Sequence, residues 1–128
     1  MNTYEIRLLA EGIHHRIFVL EVNDRCQPIV LLERLQEPDR KKTFHLIKRI
    51  VDYGVPLNEQ KFKDIDGSDG LFEMNPTDQV RLICFQERRE YIIVLGVIKK
   101  RGRLRPQDVA TAQRLRNDYL YQKKNIDE

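Results

Sequence analysis

Five basic side chains and no acidic one lie between residues 99 and 105, directly after the most apolar stretch of the chain. They are Lys99, Lys100, Arg101, Arg103 and Arg105. Lysine and arginine hold phosphate oxygens by charge-assisted hydrogen bonds and stabilise the extra negative charge of a transition state at phosphorus. The run therefore indicates a nucleic-acid ligand. A solvated connection between two elements would also explain it, and the run alone does not decide between the two.

Arg81 is a second residue that could do chemistry, because it lies inside an otherwise apolar segment. It alternates with Ile83 and Phe85, so it is expected on a face that also carries apolar side chains. An arginine placed there must reach the rim of a sheet or pair with an acid. Either Arg81 holds a phosphate, or it forms a structural ion pair with Glu73 across a hairpin. The strand register decides, and the sequence leaves it open.

Two lysines, Lys61 and Lys63, precede the apolar segments of the second half of the chain and could hold a nucleic-acid backbone by charge. Lysines in a linker also serve solubility, so they are the weakest members of the basic set. The net charge of +3, from 23 basic and 20 acidic residues, is too small to identify a partner. The distribution of the charge carries the argument.

Several well-known catalytic patterns are missing from the sequence. It has no glycine-rich phosphate loop, no HExxH, no Cys/His cluster with zinc spacing and no GxSxG. These absences weigh against a nucleotide hydrolase, a zinc enzyme and an activated-serine hydrolase, and we expect neither a metal nor a cofactor. His14 and His15 are adjacent in a predicted turn, which makes a poor metal site.

The cellular setting follows from cysteine usage and hydropathy. Two cysteines without a CxxC motif are typical of a reducing compartment. The N-terminus has no apolar signal core, and the longest apolar run, residues 91–98, is far shorter than the roughly 20 residues of a membrane span. We expect a cytoplasmic protein without a membrane partner.

These candidate residues must be positioned by elements that the hydrophobic pattern predicts. Segments 4–9 and 17–22 read as a hairpin, and segments 71–74, 80–85 and 91–98 read as three strands, the last covered on both faces. A short helix begins at Pro28. A second helix has Asp39 as its N-cap, a stripe of Phe44, Ile47, Ile50 and Val51, and Gly54 as its stop.

A last helix begins at Pro106, and residues 55–70 form a linker with polar turns. The order of elements predicts an α+β fold, a small antiparallel sheet with helices packed on it. A length of 128 residues fits one domain. We divide it into an N-terminal hairpin extension (residues 1–25), a core (26–120) and a tail (121–128).

Five segments resemble a known family when they are taken in order. Pro28-Ile29-Val30 with Leu32 and Leu35 resembles the "sPV..FL..L" opening of HigB-like, phage-derived toxins. GLFEM at 70–74 resembles their "GLWELR" strand, RLICF at 81–85 their "yRvlyf" strand, and GVIKK at 96–100 their "gFvKK" strand end. Pro106, Ala112 and Asp118-Tyr119 resemble their closing helix. The chain resembles the RelE/ParE superfamily over residues 26–120.

The resemblance implies a bacterial toxin of a type II toxin–antitoxin module with a RelE-like fold. It implies that the protein cuts mRNA in the ribosomal A site without a metal, as the RNA 2′-hydroxyl attacks the neighbouring phosphate. The partners would be a cognate antitoxin, expected to be a helix-turn-helix protein, the ribosome and mRNA.

Of the candidate site residues, Lys99 and Lys100 match the family motif, whereas Arg101, Arg103 and Arg105 are included for their charge alone. Arg81 and Lys99 would bind the scissile phosphate, and Lys100 or Arg101 would offset charge on the phosphorane or the leaving oxygen. Glu73 would position Arg81 or act as a base. The RNA backbone would be held by the remaining basic residues, Lys61, Lys63, Arg103 and Arg105.

Three departures from the family pattern qualify these expectations. Asn75 stands where many members carry arginine, Val97 replaces a phenylalanine, and the N-terminal hairpin is longer than the usual single strand. The first puts part of the catalytic set in doubt. Two other functions are alternatives to the nuclease: a ParE-like inhibitor of DNA gyrase, and a module that binds nucleic acid without cutting it.

Overall fold

The computed structural model of the chain describes residues 1–127. A six-stranded sheet is covered by helices on both faces, so the fold is α+β as predicted. The strands are β1 (Tyr4–Glu11), β2 (Arg16–Val22), β3 (Phe62–Asp64), β4 (Leu71–Met74), β5 (Val80–Glu87) and β6 (Glu90–Ile98). The helices are α1 (Gln27–Arg34), α2 (Glu37–Tyr53) and α3 (Pro106–Asp127).

The sheet is mixed, which corrects the expectation of a purely antiparallel one. Its strand order is β1-β2-β6-β5-β4-β3, and β2 pairs with β6 in parallel, from Arg16 opposite Glu90 to Val19 opposite Ile93. All other neighbours are antiparallel. Two antiparallel units, the N-terminal hairpin and the β3–β6 meander, therefore meet along one junction. The connection from β2 to β6 runs through α1, α2 and strands β3–β5, and a connection of that length permits the parallel orientation.

Each face of the sheet has its own core. One contains side chains of α1 and α2, among them Leu32, Ile47 and Ile50, and the other contains Ala112 and Tyr119 of α3. Strand β6 contributes to both, with Ile93 on the first face and Ile92 on the second. The prediction that residues 91–98 form an interior strand covered on both faces is confirmed.

Helix α2 begins earlier than predicted. Its N-cap is Gln36 and Pro38 lies in the first turn, where a proline costs no hydrogen bond, so Asp39 is inside the helix rather than its N-cap. The predicted stripe was also wrong in one member: Phe44 is exposed and Leu46 is buried instead. Gly54 ends the helix with φ of 92°, as expected of a C-terminal glycine.

The segment 55–70 is less irregular than predicted. It contains the three-residue strand β3, which pairs with β4 from Phe62 opposite Met74 to Asp64 opposite Phe72. Its exposed Lys63 and Asp64 hide the strand pattern, because an edge strand exposes polar residues freely. At the other end of the chain, α3 extends to residue 127 and so includes most of the segment predicted as a tail, residues 121–128.

The loop of the N-terminal hairpin caps the C-terminal end of α2. The backbone N–H groups of His14 and His15 donate to the carbonyl oxygen of Val51, at 2.8 and 3.1 Å. Gly12 makes this approach possible, because a Cβ atom there would lie 2.5 Å from that same oxygen. The carbonyl group of Val51, near the end of α2, thus receives hydrogen bonds from the hairpin loop, and these bonds connect the hairpin extension to α2.

Replacing Gly12 by alanine should therefore lower the free energy of unfolding by about 1–3 kcal/mol, as overpacking against rigid backbone does. Urea denaturation measures this directly. Ile13→Ala is the matched control, because Ile13 lies in the same loop and its side chain is exposed. Equal stabilities for the two variants would show that the close approach of Gly12 to α2 contributes nothing.

Candidate nucleic-acid interface

Four strand termini meet at one end of the sheet and bring the predicted site residues into one region. β3 begins at Phe62, β4 ends at Met74, β5 begins at Val80 and β6 ends at Ile98. The segments that flank these termini carry the basic residues singled out from the sequence. We call this region the basic end, and it comprises residues 61–63, 73–81 and 99–105.

A buried ion pair lies under the basic end. Arg81 Nη1 is 3.3 Å from Glu73 Oε1, and the two side chains are 10% and 3% exposed. Glu73 pairs with Ile83 in the register, so Arg81 is its diagonal neighbour on the α3 face of the sheet. The sequence left two interpretations of Arg81, and the structure confirms the one in which it forms an ion pair with Glu73.

The same guanidinium holds the basic loop, residues 99–105. Arg81 Nη1 donates to the carbonyl oxygen of Gly102 at 2.6 Å. Gly102 has φ of 78°, a conformation that favours glycine, so the loop can turn back toward the sheet at this residue. Arg81 therefore connects the sheet to the loop that carries most of the cations.

The loop cations differ in what they contact. Lys99 is half-buried, and its backbone N–H extends the strand ladder by donating to Gln79. Within residues 1–127 no acid pairs with Lys99, Lys100, Arg101 or Arg103. Arg105 is the exception, because its Nε lies 3.0 Å from Asp108 Oδ2. Four loop cations are thus available for an anionic ligand, whereas Arg105 is committed to the first turn of α3.

Lys61 and Lys63 lie on opposite sides of the sheet end. Lys61 Nζ donates to the carbonyl oxygen of Pro76 at 3.2 Å and faces a cleft beside α2. Lys63 Nζ lies 3.9 Å from Glu73 Oε2 and faces a cleft beside the start of α3. The structure therefore brings Lys63, Glu73 and Arg81 together and leaves Lys61 apart from them.

The cleft beside the start of α3, here the α3-side cleft, has a volume of about 400 Å³. Lys63 and Arg103 line it, and so do three acidic residues, Asp64, Asp66 and Glu73. The cleft beside α2, here the α2-side cleft, is larger, at about 760 Å³. The basic residues of the sheet end thus have a groove on either side.

Asn75, which departs from the family pattern, also contacts the buried ion pair. With its amide nitrogen turned toward the sheet, it donates to Glu73 Oε1 at 3.1 Å and to the carbonyl oxygen of Met74 at 3.2 Å. An uncharged donor thus takes a place next to Glu73. Asn75 adds no positive charge to the basic end, and the cations there come from the loop and from Lys61 and Lys63.

No activated nucleophile accompanies these cations in the part of the chain that the structure describes. Burial raises the pKa of the Cys26 and Cys84 thiols and of the Tyr91 hydroxyl, which disfavours their reactive anions. Residues 1–127 also contain no cluster of three or more side chains that could hold a metal ion. What the described residues of the basic end do offer is positive charge.

Sequence reasoning missed the basic residues of α2 as part of an interface. In the sequence, Lys41, Lys42, Lys48 and Arg49 lie outside the apolar stripe of the helix and His45 lies beside it. Four of them line the α2-side cleft: Lys41, Lys42, His45 and Arg49. Their spacing of three and four residues, which places residues 42, 45 and 49 on one helix face, is the signal that would have found them.

Comparison with known proteins gives a family. No helix in residues 1–127 is both long enough and apolar enough to cross a membrane. No curated protein matches the chain. The family model described as "Phage derived protein Gp49-like (DUF891)" matches residues 30–117, and this family is associated with the toxins of toxin–antitoxin systems. Because the match covers well over half of the 128 residues, the chain belongs to the phage-derived Gp49-like family.

Proposed function

We propose that this protein is the toxin of a type II toxin–antitoxin system, of the RelE/HigB type, and that it cuts mRNA on the ribosome. Membership in the Gp49-like family is consistent with such a toxin. The resemblance of residues 26–120 to HigB-like toxins supports the finer assignment. An antitoxin, the ribosome and mRNA are then its partners.

The observation that carries the proposal is the basic loop held over a buried ion pair. Lys99, Lys100, Arg101 and Arg103 have no acidic partner within residues 1–127, and the loop that carries them is tied to Arg81 through Gly102. A surface that keeps unpaired cations at fixed positions favours binding and stabilisation of a polyanion, because little reorganisation is needed when charge develops.

The reaction we propose needs positive charge more than it needs an acid or a base with a shifted pKa. The 2′ oxygen of the RNA bonds to the adjacent phosphorus, the bond from phosphorus to the 5′ oxygen breaks, and a 2′,3′-cyclic phosphate and a 5′-hydroxyl result. One proton leaves the 2′-hydroxyl and one is gained by the 5′ oxygen. The phosphorane formed on the way carries an additional negative charge, which nearby ammonium and guanidinium groups stabilise.

Side-chain roles follow from the contacts. Lys99 is the half-buried, unpaired cation nearest the end of β6, so we assign it to the scissile phosphate. Lys100 and Arg101, both exposed, are assigned to the phosphorane or to the leaving oxygen. We assign a positioning role to Arg81 and Glu73, because their charges are already paired with each other.

The test adds the purified protein to translating ribosomes and maps the ends of the mRNA. We expect cuts within codons, growth arrest when the protein is expressed alone, and rescue by the product of a neighbouring gene for a helix-turn-helix protein. Intact messages and normal growth would overturn the proposal. Loss of DNA supercoiling with intact mRNA would instead identify a ParE-like gyrase inhibitor.

A further inference from the structure

The α2-side cleft is the more positive of the two grooves at the basic end. Four lysine and arginine residues line it, Lys41, Lys42, Arg49 and Lys61, together with His45, against two acidic residues, Asp39 and Asp78. The α3-side cleft has the opposite balance, with two basic residues against three acidic ones. A polyanion that reaches the sheet end is therefore attracted more strongly to the α2 side.

Two cations of the α2-side cleft are available to a ligand. Lys41 pairs with Glu37 one helical turn away, at 3.0 Å. Lys42 and Arg49 are exposed, and neither has an ion pair in the described part of the chain. They lie on the same side of α2 because they are seven residues apart, close to two helical turns. This side of α2 thus presents two cations that have no ion-pair partner within residues 1–127.

The cleft lies next to the start of the basic loop, although no residue of the loop lines it. Gln79 lines the cleft, and its carbonyl oxygen accepts the backbone N–H of Lys99 at 2.8 Å. Pro76 lines it too, and its carbonyl oxygen holds Lys61 Nζ at the rim. An anionic chain that lies in the cleft would therefore pass close to the start of the basic loop. The volume of about 760 Å³ is within the range of pockets that hold small organic ligands.

We propose that the α2-side cleft binds the sugar-phosphate backbone of single-stranded RNA on one side of the scissile phosphate, with Lys42, Arg49 and Lys61 contacting phosphates. The choice of RNA as the polyanion rests on the proposed function. The cleft would then hold the message by charge without reading its sequence, because contacts to phosphate carry no base identity.

Fluorescence anisotropy of a labelled single-stranded RNA oligonucleotide, with the full chain and no ribosome, tests this proposal. The test variant is Lys42→Glu with Arg49→Glu. The matched control is Arg34→Glu with Lys124→Glu, which makes the same change in net charge at exposed helix positions outside the cleft. Thermal denaturation of both variants checks that they remain folded.

We expect the test variant to bind RNA at least about tenfold more weakly and the control less than about threefold more weakly at the same salt concentration. The slope of log affinity against log salt concentration should fall by about 1.4 in the test variant, since each phosphate contact on a single strand contributes roughly 0.7. Asp78→Asn removes an acid from the cleft and should tighten binding.

Equal losses in the test and control variants, or no loss in either, would overturn the cleft assignment and leave the proposed function standing. Wild-type protein that binds no RNA even at low salt would overturn it too. Failure of the wild-type protein to cut mRNA on ribosomes, with RNA binding still sensitive to Lys42 and Arg49, would overturn the cleavage proposal and retain the cleft. The two proposals therefore fail on different measurements.

Discussion

Replacing Glu73 by alanine is expected to lower the free energy of unfolding by about 3–5 kcal/mol, because it leaves a buried arginine without its counter-ion. The side chain of Arg81 is only 10% exposed, and the Gly102 carbonyl would remain as an acceptor without charge. That loss is a large part of the roughly 5–15 kcal/mol that stabilises a typical domain. Chemical denaturation at neutral pH measures it.

Glu37→Ala is the control for this prediction, because it also removes one acid of an ion pair. Glu37 and Lys41 are 66% and 76% exposed, and such surface pairs contribute about 0–1 kcal/mol. A loss for Glu73→Ala no larger than that for Glu37→Ala would show that Arg81 finds another partner or reaches water.

Removing both charges together separates the stability of the pair from its effect on the basic loop. Glu73→Leu with Arg81→Met should regain much of the lost stability, as apolar replacements of buried ion pairs often do. The loop should not recover, because Gly102 has lost its donor. We expect lower NMR order parameters at residues 100–104 and slower mRNA cleavage in this variant. A rigid loop and full cleavage would contradict the positioning role of Arg81.

The fold was predictable where apolar residues mark an element on their own. Segments such as 71–74 and 91–98, and the helix that begins at Pro106, are local patterns, and the structure has them within a few residues of the prediction. Strand β3 and the start of α2 were not predictable in the same way. A three-residue edge strand has too few buried residues to show the alternating pattern of a strand. A proline near the start of a helix locates that start only to within about one turn, as Pro38 shows.

Spatial relations between distant segments are the second part that the sequence left open. The parallel junction of β2 and β6 depends on which strands meet, and no local pattern encodes that. The contact of Arg81 with Glu73 depends on the strand register, so the sequence left two interpretations of Arg81 open. The basic face of α2 was visible in the sequence, but its position beside Lys61 and Gln79 follows only from the packing of α2 on the sheet.

The ion pairs of the basic loop also could not be predicted from the sequence. Charge along the chain singled out Lys99 to Arg105 as one group, yet the structure divides them by what they contact. Arg105 is paired with Asp108, and the other cations of the loop have no acidic partner within residues 1–127. A run of like charges in a sequence therefore predicts a basic region, and only the acids brought near by the fold show which members stay available.

Lys99→Met is expected to lower the rate of mRNA cleavage about 10²–10³-fold, the typical loss when one preorganised group that stabilises a developing charge is removed. Methionine keeps much of the length and apolar stem of lysine, so the half-buried position stays filled and the backbone bond to Gln79 persists. Unfolding temperature should therefore stay close to that of the wild type. Single-turnover cleavage on programmed ribosomes, at saturating protein, measures the chemical step apart from binding.

The loss of cleavage rate in Lys99→Met depends on which loop cation contacts the phosphate. A matched variant tests whether Lys99 is that cation. Arg105→Met removes a positive charge from the same loop, but one already paired with Asp108, so its effect on cleavage should be less than about tenfold. A wild-type rate for Lys99→Met, with a large loss for Lys100→Met or Arg101→Met, would move the phosphate contact to the exposed part of the loop. Wild-type rates for all of these variants would show that the basic loop takes no part in catalysis.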